Sequence, residues 1–320
     1  MKKTVTLSTL LILMLLCGCD AEKPENSETR FLMDTVVTLT AECDDETIDG
    51  AFALCENLES ILSRTVKDSD VYKLNHTDGF VKVSSHTLKN VERALYYAEL
   101  SGGRFDITVC PVSELWDFKN QIVPDRDEIA EALKNVDYHS VEIKDGEISS
   151  GGKQIDLGGI AKGYITDELI SYFKERGAKS AVISLGGNIG LIGKHTVGIK
   201  KPFDGSVILT AELEDMCVST SGIYERYIEK DGKIYHHIID PETGYGVENG
   251  LASATVIAEK SIDCDALSTV CMLLGEEKAA ELIDSLPGTE AVFIDRENKI
   301  TMTSGLYREA EKIYFKEVLK

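Results

Sequence analysis

The sequence is poor in basic residues. It contains 34 lysines and arginines against 55 aspartates and glutamates in 320 residues, so its formal net charge is −21. We expect no nucleic-acid partner, because a phosphate backbone needs lysine and arginine to neutralise it. An anionic phosphate ligand would need a local cation, either a placed lysine or arginine or a metal ion.

Several common catalytic motifs are also missing. No G-x-G-x-x-G follows a first strand, and there is no Walker lysine loop and no G-x-S-x-G elbow. None of the eight cysteines forms a C-x-x-C pair, and the chain is too long to need a disulfide framework. We therefore interpret the internal cysteines mostly as small buried hydrophobes, with disulfides as the open alternative, and the sequence gives no zinc site.

The N-terminus has the features of a targeting segment. Lys2 and Lys3 precede an apolar run at 10–16 that is too short to span a bilayer permanently. The run ends in Leu-Cys-Gly-Cys, which resembles a bacterial lipoprotein signal with Cys19 as the lipidated residue; an ordinary secretory signal is the alternative. We predict a signal peptide at 1–18, a polar tether at 19–30 and one domain at 31–320, anchored to the cell membrane and facing the periplasm or the exterior.

Hydrophobic periodicity predicts an α+β fold. The strands occur in groups with helices between them and not in strict alternation, so a doubly wound sheet is not favoured. We expect a single compact domain with mixed or antiparallel sheets and packed helices. Helices are predicted at 48–62, 88–98, 129–133, 161–172, 265–274 and 277–286; strands at 34–41, 181–185, 197–199, 207–213, 252–258, 291–294 and 300–303; and a hairpin around 145–146.

A glycine pair stands at a change of structure. Gly158 and Gly159 follow an extended run at 154–157, which we take as a strand, and precede the helical pattern that begins at Ala161. Exposed amides and the positive end of a helix dipole can hold a phosphate there, and Lys162 lies one turn into the helix. A purely architectural glycine turn is the alternative.

Asp265 and Thr269 are four residues apart on a predicted helix, so their oxygens point the same way. A carboxylate and a hydroxyl without histidine or cysteine suit a hard cation such as Mg²⁺. The alternative is an aspartate that caps its own helix and a threonine that fills space.

Two adjacent histidines precede a turn at 241–244. Because successive strand residues face opposite sides, only one of His236 and His237 can face a site. Histidine can act as a general base near neutral pH, and a structural histidine bonded to the turn is the alternative.

Eight segments in one order resemble the ApbE family, FAD:protein FMN transferases that are often lipoproteins. The resemblance implies an ApbE-like, T-fold-like domain. The segments are MDT (33–35), GGRFDITVCPVSELWDF (102–118), DLGGIAKGY (156–164), SLGGNI (184–189), VGIKKP (197–202), STSGIYERY (219–227), HHIIDPETGYGV (236–247) and DALST (265–269).

The resemblance also implies roles for particular residues. Mg²⁺ would be held by Asp265, Thr269 and a main-chain oxygen of Gly159. Thr65 stands where the family often has an aromatic that stacks on the flavin, and Gly246 where it often has proline. The implied FAD contacts are Met33, Thr65, Arg104, Phe105, Asp106, Asp156, Lys162 and Ile239.

The implied reaction passes FMN from FAD to a threonine or serine hydroxyl of an acceptor redox protein as a phosphoester and releases AMP. Asp265 and His237 are the expected catalytic residues, with His237 taking the proton of the incoming hydroxyl. Two alternatives stay open: an Mg²⁺-dependent FAD pyrophosphatase that gives FMN and AMP, and a lipoprotein that stores FAD.

Overall fold

A large antiparallel sheet forms the centre of the molecule. The structure is a computed structural model that describes residues 25–316. The strands of this range are β1 Glu25–Leu32, β2 Thr35–Glu42, β3 Val81–Lys82, β4 Glu142–Lys144, β5 Glu147–Ser149, β6 Ala181–Leu185, β7 Asn188–Ile192, β8 Lys194–Lys200, β9 Val207–Glu214, β10 Cys217–Gly222, β11 Tyr227–Lys230, β12 Lys233–His236, β13 Leu251–Ala258, β14 Glu290–Asp295, β15 Ile300–Met302, β16 Leu306–Glu309 and β17 Lys312–Phe315. The helices are α1 Asp45–Leu62, α2 Asp70–Asn75, α3 Ser85–Leu100, α4 Cys110–Ser113, α5 Arg126–Leu133, α6 Ala161–Glu175, α7 Ser261–Leu274 and α8 Glu276–Asp284.

The strands form one large sheet and three small ones. The large sheet has the order β1-β2-β6-β7-β10-β13-β14-β15, and all its neighbours pair antiparallel. A four-stranded sheet has the order β16-β17-β9-β8, while β3-β5-β4 and β11-β12 are smaller. Grouped strands with helices inserted between them confirm the predicted α+β class.

Both faces of the large sheet are covered in its central part. The main core joins one face to α1, α3, α6 and α7, and a second cluster joins the other face to β8 and β9. β13 shows both environments, since Val256 lies in the main core and the next residue, Ile257, in the second cluster. Alternating side chains on a strand explain why all eight β13 positions are buried.

Most predicted elements are present, but the structure corrects several predictions, among them the following three. The predicted tether at 19–30 overlaps β1, which begins at Glu25 and pairs with β2 along its whole length, so only residues before 25 remain available for a tether. Residues 154–157 form no strand. Helix α7 begins at Ser261, one turn earlier than predicted.

The predicted signal peptide and Cys19 lie outside the described residues. Within residues 25–316, no helix is long and apolar enough to cross a membrane. The six internal cysteines are all buried, as interpreted from the sequence.

Candidate active site

The Asp265 carboxylate is held inside the protein by two donors. Its side chain is 6% exposed. The backbone N–H of Gly163 donates to Oδ2 at 2.8 Å, and Nδ2 of Asn188 donates to Oδ1 at 3.1 Å. No ion pair involves Asp265 within the described range, so this buried carboxylate has no cationic side chain beside it. A buried charge of this kind requires hydrogen bonds or a metal ion.

Helices α6 and α7 cap each other. Neither helix has a side-chain cap from its own N-cap residue, Ile160 or Lys260. Asp265 of α7 accepts from the first turn of α6, while Asp167 of α6 accepts from the N–H groups of Ser261 and Ile262 at 2.8 and 3.0 Å. Asp265 therefore does cap a helix start, but the start belongs to its neighbour.

This arrangement depends on a glycine. A Cβ at Gly163 would lie 2.3 Å from the carbonyl oxygen of Ser261 and 2.7 Å from Cβ of Asp265. Only glycine allows the two helices to approach so closely that a backbone amide of α6 reaches a carboxylate of α7. Gly163 belongs to a segment that the sequence analysis singled out, yet its contact role was not predicted.

Thr269 lies one turn after Asp265 on α7, so the two residues share a helix face. Its Oγ1 lies 3.3 Å from Oγ of Ser221, a residue of β10. Asn188 begins β7, the strand beside β10, and its Oδ1 is buried without a hydrogen-bond partner. The start of β7, the end of β10 and the middle of α7 thus bring oxygen atoms together.

Hydrogen bonds with Asp156 and Lys162, which flank it in the sequence, fix the glycine turn before α6. Asp156 accepts from the N–H of Gly158 at 2.8 Å through Oδ1 and from Nε of Arg64 at 2.9 Å through Oδ2. Nζ of Lys162 donates to the carbonyl oxygen of Gly158 at 2.9 Å. Lys162 therefore places its positive charge over the turn, as expected.

Phe105 packs beside this turn. A Cβ at Gly159 would lie 3.2 Å from Cε2 of the Phe105 ring. Arg104, the preceding residue, pairs with Asp240 at 2.8 Å and with Glu242 at 2.9 Å. Arg104 and Asp240 also line a cavity of about 460 Å³ next to Gly246. Segment 104–106 thus links the glycine turn to the turn that follows the histidines.

Asp106 uses its carboxylate within the fold. Oδ1 accepts from the N–H and hydroxyl of Thr108, both at 2.7 Å, and Oδ2 accepts from the N–H of Tyr138 at 3.1 Å. Burial nevertheless raises its pKa above the usual range for an aspartate. Any ligand contact at this position is therefore expected from the backbone and not from the carboxylate.

Met33 occupies an unusual backbone conformation. Met33 and Asp34 have φ of 52° and 54°, the left-handed pair of a two-residue hairpin turn between β1 and β2. Left-handed conformations are uncommon for residues other than glycine and cluster at functional positions. The N–H of Met33 donates to Glu59 at 3.2 Å. Thr65 is exposed, and its hydroxyl lies 3.1 Å from that of Ser63.

The two histidines differ in their surroundings. Nε2 of His236 lies 2.9 Å from the carbonyl oxygen of Val247, and its Nδ1 is buried without a partner. His237 is half-buried, and its Nδ1 lies 3.3 Å from the carbonyl oxygen of Arg226. Burial and the charges of Arg226 and Lys162 lower the pKa of His237 to about 4. Ile239, two residues after His237, is buried in a small separate cluster.

The oxygens around Asp265 fit a hard cation. Within the described range, no group of three or more histidine, cysteine, aspartate or glutamate residues could hold a metal. A cation here would depend on a carboxylate, a hydroxyl and main-chain or amide oxygens, which Mg²⁺ accepts. The Asp265 carboxylate, which forms no ion pair in the described range, and the Asn188 oxygen, which has no hydrogen-bond partner, both agree with that chemistry. Asn188, Ser221 and Arg64 were not predicted as site residues, although SLGGNI and STSG, which contain the first two, were singled out.

In this α+β fold a carboxylate and a hydroxyl lie beside a glycine turn and a helix start, an arrangement suited to binding a phosphate ester. The sequence pattern of the ApbE family matches residues 33–293. The chain therefore belongs to the ApbE family.

Known proteins and structures support this assignment. An FAD:protein FMN transferase of Treponema pallidum is 34% identical over 81% of this chain and 80% of its own length, and one of Klebsiella pneumoniae is 33% identical over 87% and 92%. The crystal structure of the ApbE protein from Thermotoga maritima superimposes with a TM-score of 0.81 at 31% identity, covering 88% of this chain and 97% of the other. The apo flavinyl transferase ApbE of Pseudomonas stutzeri gives 0.78 at 27% identity, covering 88% and 96%.

Proposed function

We propose that the protein is an FAD:protein FMN transferase that depends on Mg²⁺. Relatives that match most of the chain carry this name. The observation that carries the proposal is Asp265, a buried carboxylate fixed by two donors on the same face as a hydroxyl and without a cationic side chain beside it.

Mg²⁺ would be held by Asp265, Thr269 and the main-chain oxygen of Gly159. When bound, it supplies the positive charge that a strongly acidic protein needs to attract the two phosphates of FAD. Lys162 adds a second positive charge at the start of α6. The positive end of the α6 helix dipole favours a phosphate in the same place.

His237 is suited to take the proton of the acceptor hydroxyl. Its lowered pKa keeps the ring neutral at pH 7. Because the carbonyl of Arg226 can only accept, Nδ1 carries the hydrogen and the free lone pair is on Nε2. The acceptor oxygen forms a bond to the phosphorus of the FMN half, the bond from that phosphorus to AMP breaks, and the proton passes to Nε2. His236 is engaged with Val247 and is not placed for this role.

We also propose that Cys19 carries a lipid and holds the enzyme on the membrane, where it modifies a threonine or serine of an exported or membrane-bound redox protein. This rests on the Leu-Cys-Gly-Cys segment. Mass spectrometry of the mature N-terminus tests it: a diacylated Cys19 is expected. An unmodified N-terminus from an ordinary secretory cleavage would contradict the anchor without affecting the activity.

The activity is tested by incubating the protein with FAD, Mg²⁺ and a candidate acceptor, with and without a chelator. We expect covalent FMN on the acceptor and an equal amount of AMP, both lost when Mg²⁺ is chelated. Free FMN with AMP and no modified acceptor would indicate a pyrophosphatase. Tightly bound FAD without AMP release would indicate storage, and either result overturns the transferase assignment.

A further inference from the structure

A chain of hydroxyl groups runs behind the proposed metal ligands. Oγ1 of Thr269 lies 3.3 Å from Oγ of Ser221, and Oγ of Ser221 lies 2.8 Å from Oγ of Ser268. Ser268 in turn donates to the carbonyl oxygen of Asp265 at 2.9 Å. We infer that this chain orients the Thr269 hydroxyl so that its lone pairs face the cation, which makes Ser221 and Ser268 positioning residues. The inference rests on the proposed metal site.

The direction of every hydrogen bond follows from the last acceptor. A carbonyl oxygen has no hydrogen, so the Ser268 hydroxyl must donate its hydrogen bond to the carbonyl oxygen of Asp265. Ser268 can then only accept from Ser221, and the hydrogen of Ser221 is therefore used as well. Ser221 must accept from Thr269, and the hydrogen of Thr269 points at Ser221. The lone pairs of Thr269 are left for a ligand.

The direction of these hydrogen bonds matters because a hydroxyl can turn either its hydrogen or its oxygen lone pairs toward a cation, and only the lone pairs bind it. A threonine whose hydrogen is free to rotate must lose that freedom, and must turn its hydrogen away, when a cation binds. The chain makes this adjustment before the cation arrives. Outer partners that fix the orientation of a metal ligand typically change metal affinity by about 10–100-fold.

The chain is shielded from water, which preserves its direction. Ser268 is buried, and Ser221 and Thr269 are partly buried. Ser221 stands on β10 and Ser268 on α7, so the chain also couples the sheet to the helix that carries both proposed ligands. Ser219, two residues before Ser221 on the same face of β10, contacts Ser268 at 3.3 Å but touches neither ligand.

Metal titration of the full-length protein without FAD provides the test. Mn²⁺ or Mg²⁺ affinity is measured by calorimetry for the wild type, Ser221→Ala and Ser219→Ala, with thermal unfolding as a check on the fold. We expect about 10–100-fold weaker binding for Ser221→Ala. Ser219→Ala removes a comparable buried hydroxyl and should stay within a factor of about two, since its hydroxyl lies outside the chain. Ser221→Thr retains the hydroxyl and should restore binding.

Two further variants separate the possible failures. Ser268→Ala lets Ser221 turn its hydrogen toward Thr269, so it should weaken binding as well, but less than Ser221→Ala. Thr269→Ala should weaken binding at least as much as Ser221→Ala. Weak binding for Thr269→Ala together with normal binding for a folded Ser221→Ala overturns the chain alone. Normal binding for Thr269→Ala, or no metal binding by the wild type, overturns the proposed metal site as well.

Discussion

Asp265 and Asp167 both cap the start of the neighbouring helix, yet only Asp265 has the proposed catalytic role. Each side chain projects from its own helix and accepts hydrogen bonds from backbone N–H groups at the start of the other helix. Asp167 gives both oxygens to backbone amides, those of Ser261 and Ile262. Asp265 gives one oxygen to an amide and the other to the side chain of Asn188.

The surroundings account for the difference. Asp265 lies beside the Thr269 and Ser221 hydroxyls and the unpartnered oxygen of Asn188. Asp167, in contrast, accepts hydrogen bonds from two backbone amides. A helix cap therefore does not exclude a functional role. One carboxylate can hold a helix start and keep lone pairs for a cation, because an ionised carboxylate has about four acceptor sites.

The comparison predicts a large difference in activity and a small one in stability. Asp265→Ala should reduce Mg²⁺-dependent flavin transfer more than 100-fold, beyond the effect of about 10–100-fold typical of outer-shell changes. Asp167→Ala should reduce it less than about tenfold, since it alters only the packing behind the site. Both should lose about 0.5–2 kcal/mol of stability, the cost of a lost cap. Initial rates of acceptor flavinylation and urea unfolding measure the two quantities.

Full transfer by Asp265→Ala would count against the metal assignment. Equal losses of activity in both variants would show that capping, and not the cation, explains the sensitivity of the site.

The same contrast extends to the adjacent histidines. His237→Ala should lower transfer by about 10²–10⁴-fold, the usual contribution of a general base, with FAD still bound. His236→Ala should mainly cost stability, because that ring is buried against Val247. Since the pKa of His237 is about 4, its protonation should not slow the reaction between pH 7 and about pH 5.5. Single-turnover rates and FAD titrations across this range test the assignment; loss of FAD binding in His237→Ala would make it a binding residue.

Strong periodicity made the helices predictable, and the pair on α7 followed from it. Asp265 and Thr269 share a face because residues four apart on a helix always do. Helical periodicity could not predict that Asn188 and Ser221 belong to the site. They lie 77 and 48 positions from their partners on α7 and meet them only because β7 and β10 are neighbours in the sheet.

The first strand was missed for a different physical reason. β1 is an edge strand of the large sheet in the described range, and no position in it is fully buried. Its sequence, ENSETRFL, is mostly polar because neither face has to enter the core. A strand of this kind gives no apolar alternation, so composition alone indicates a tether.

Gly163 lies at the close contact between α6 and α7 and allows a test of how strongly the site depends on that contact. Gly163→Ala introduces a Cβ that meets backbone on α7, so the helices must separate. We expect a loss of about 1–3 kcal/mol, as for other overpacked contacts, and weaker metal binding through the displaced Asp265. Gly50→Ala in α1 is the matched control, because its Cβ meets only the end of the Tyr172 side chain, which can move aside. Calorimetric unfolding and metal titration compare them; equal behaviour of both variants would show that the close approach is unimportant.

Asp167 should also make the stability of the protein depend on pH. Burial raises the pKa of Asp167 to about 6 despite its two amide donors. Between about pH 4 and pH 6 the folded state keeps a proton that the unfolded state has released, so this group makes stability fall as pH rises, by about 2–3 kcal/mol over the window. His237, with its lowered pKa, has the opposite sign and makes stability rise between about pH 4 and pH 6.5. The two contributions oppose each other in the wild type.

The Asp167→Asn variant lacks the Asp167 contribution, so its stability relative to the wild type should increase with pH across this range. Urea unfolding at several pH values can measure this difference. A pH-independent difference would place the Asp167 pKa near its ordinary value.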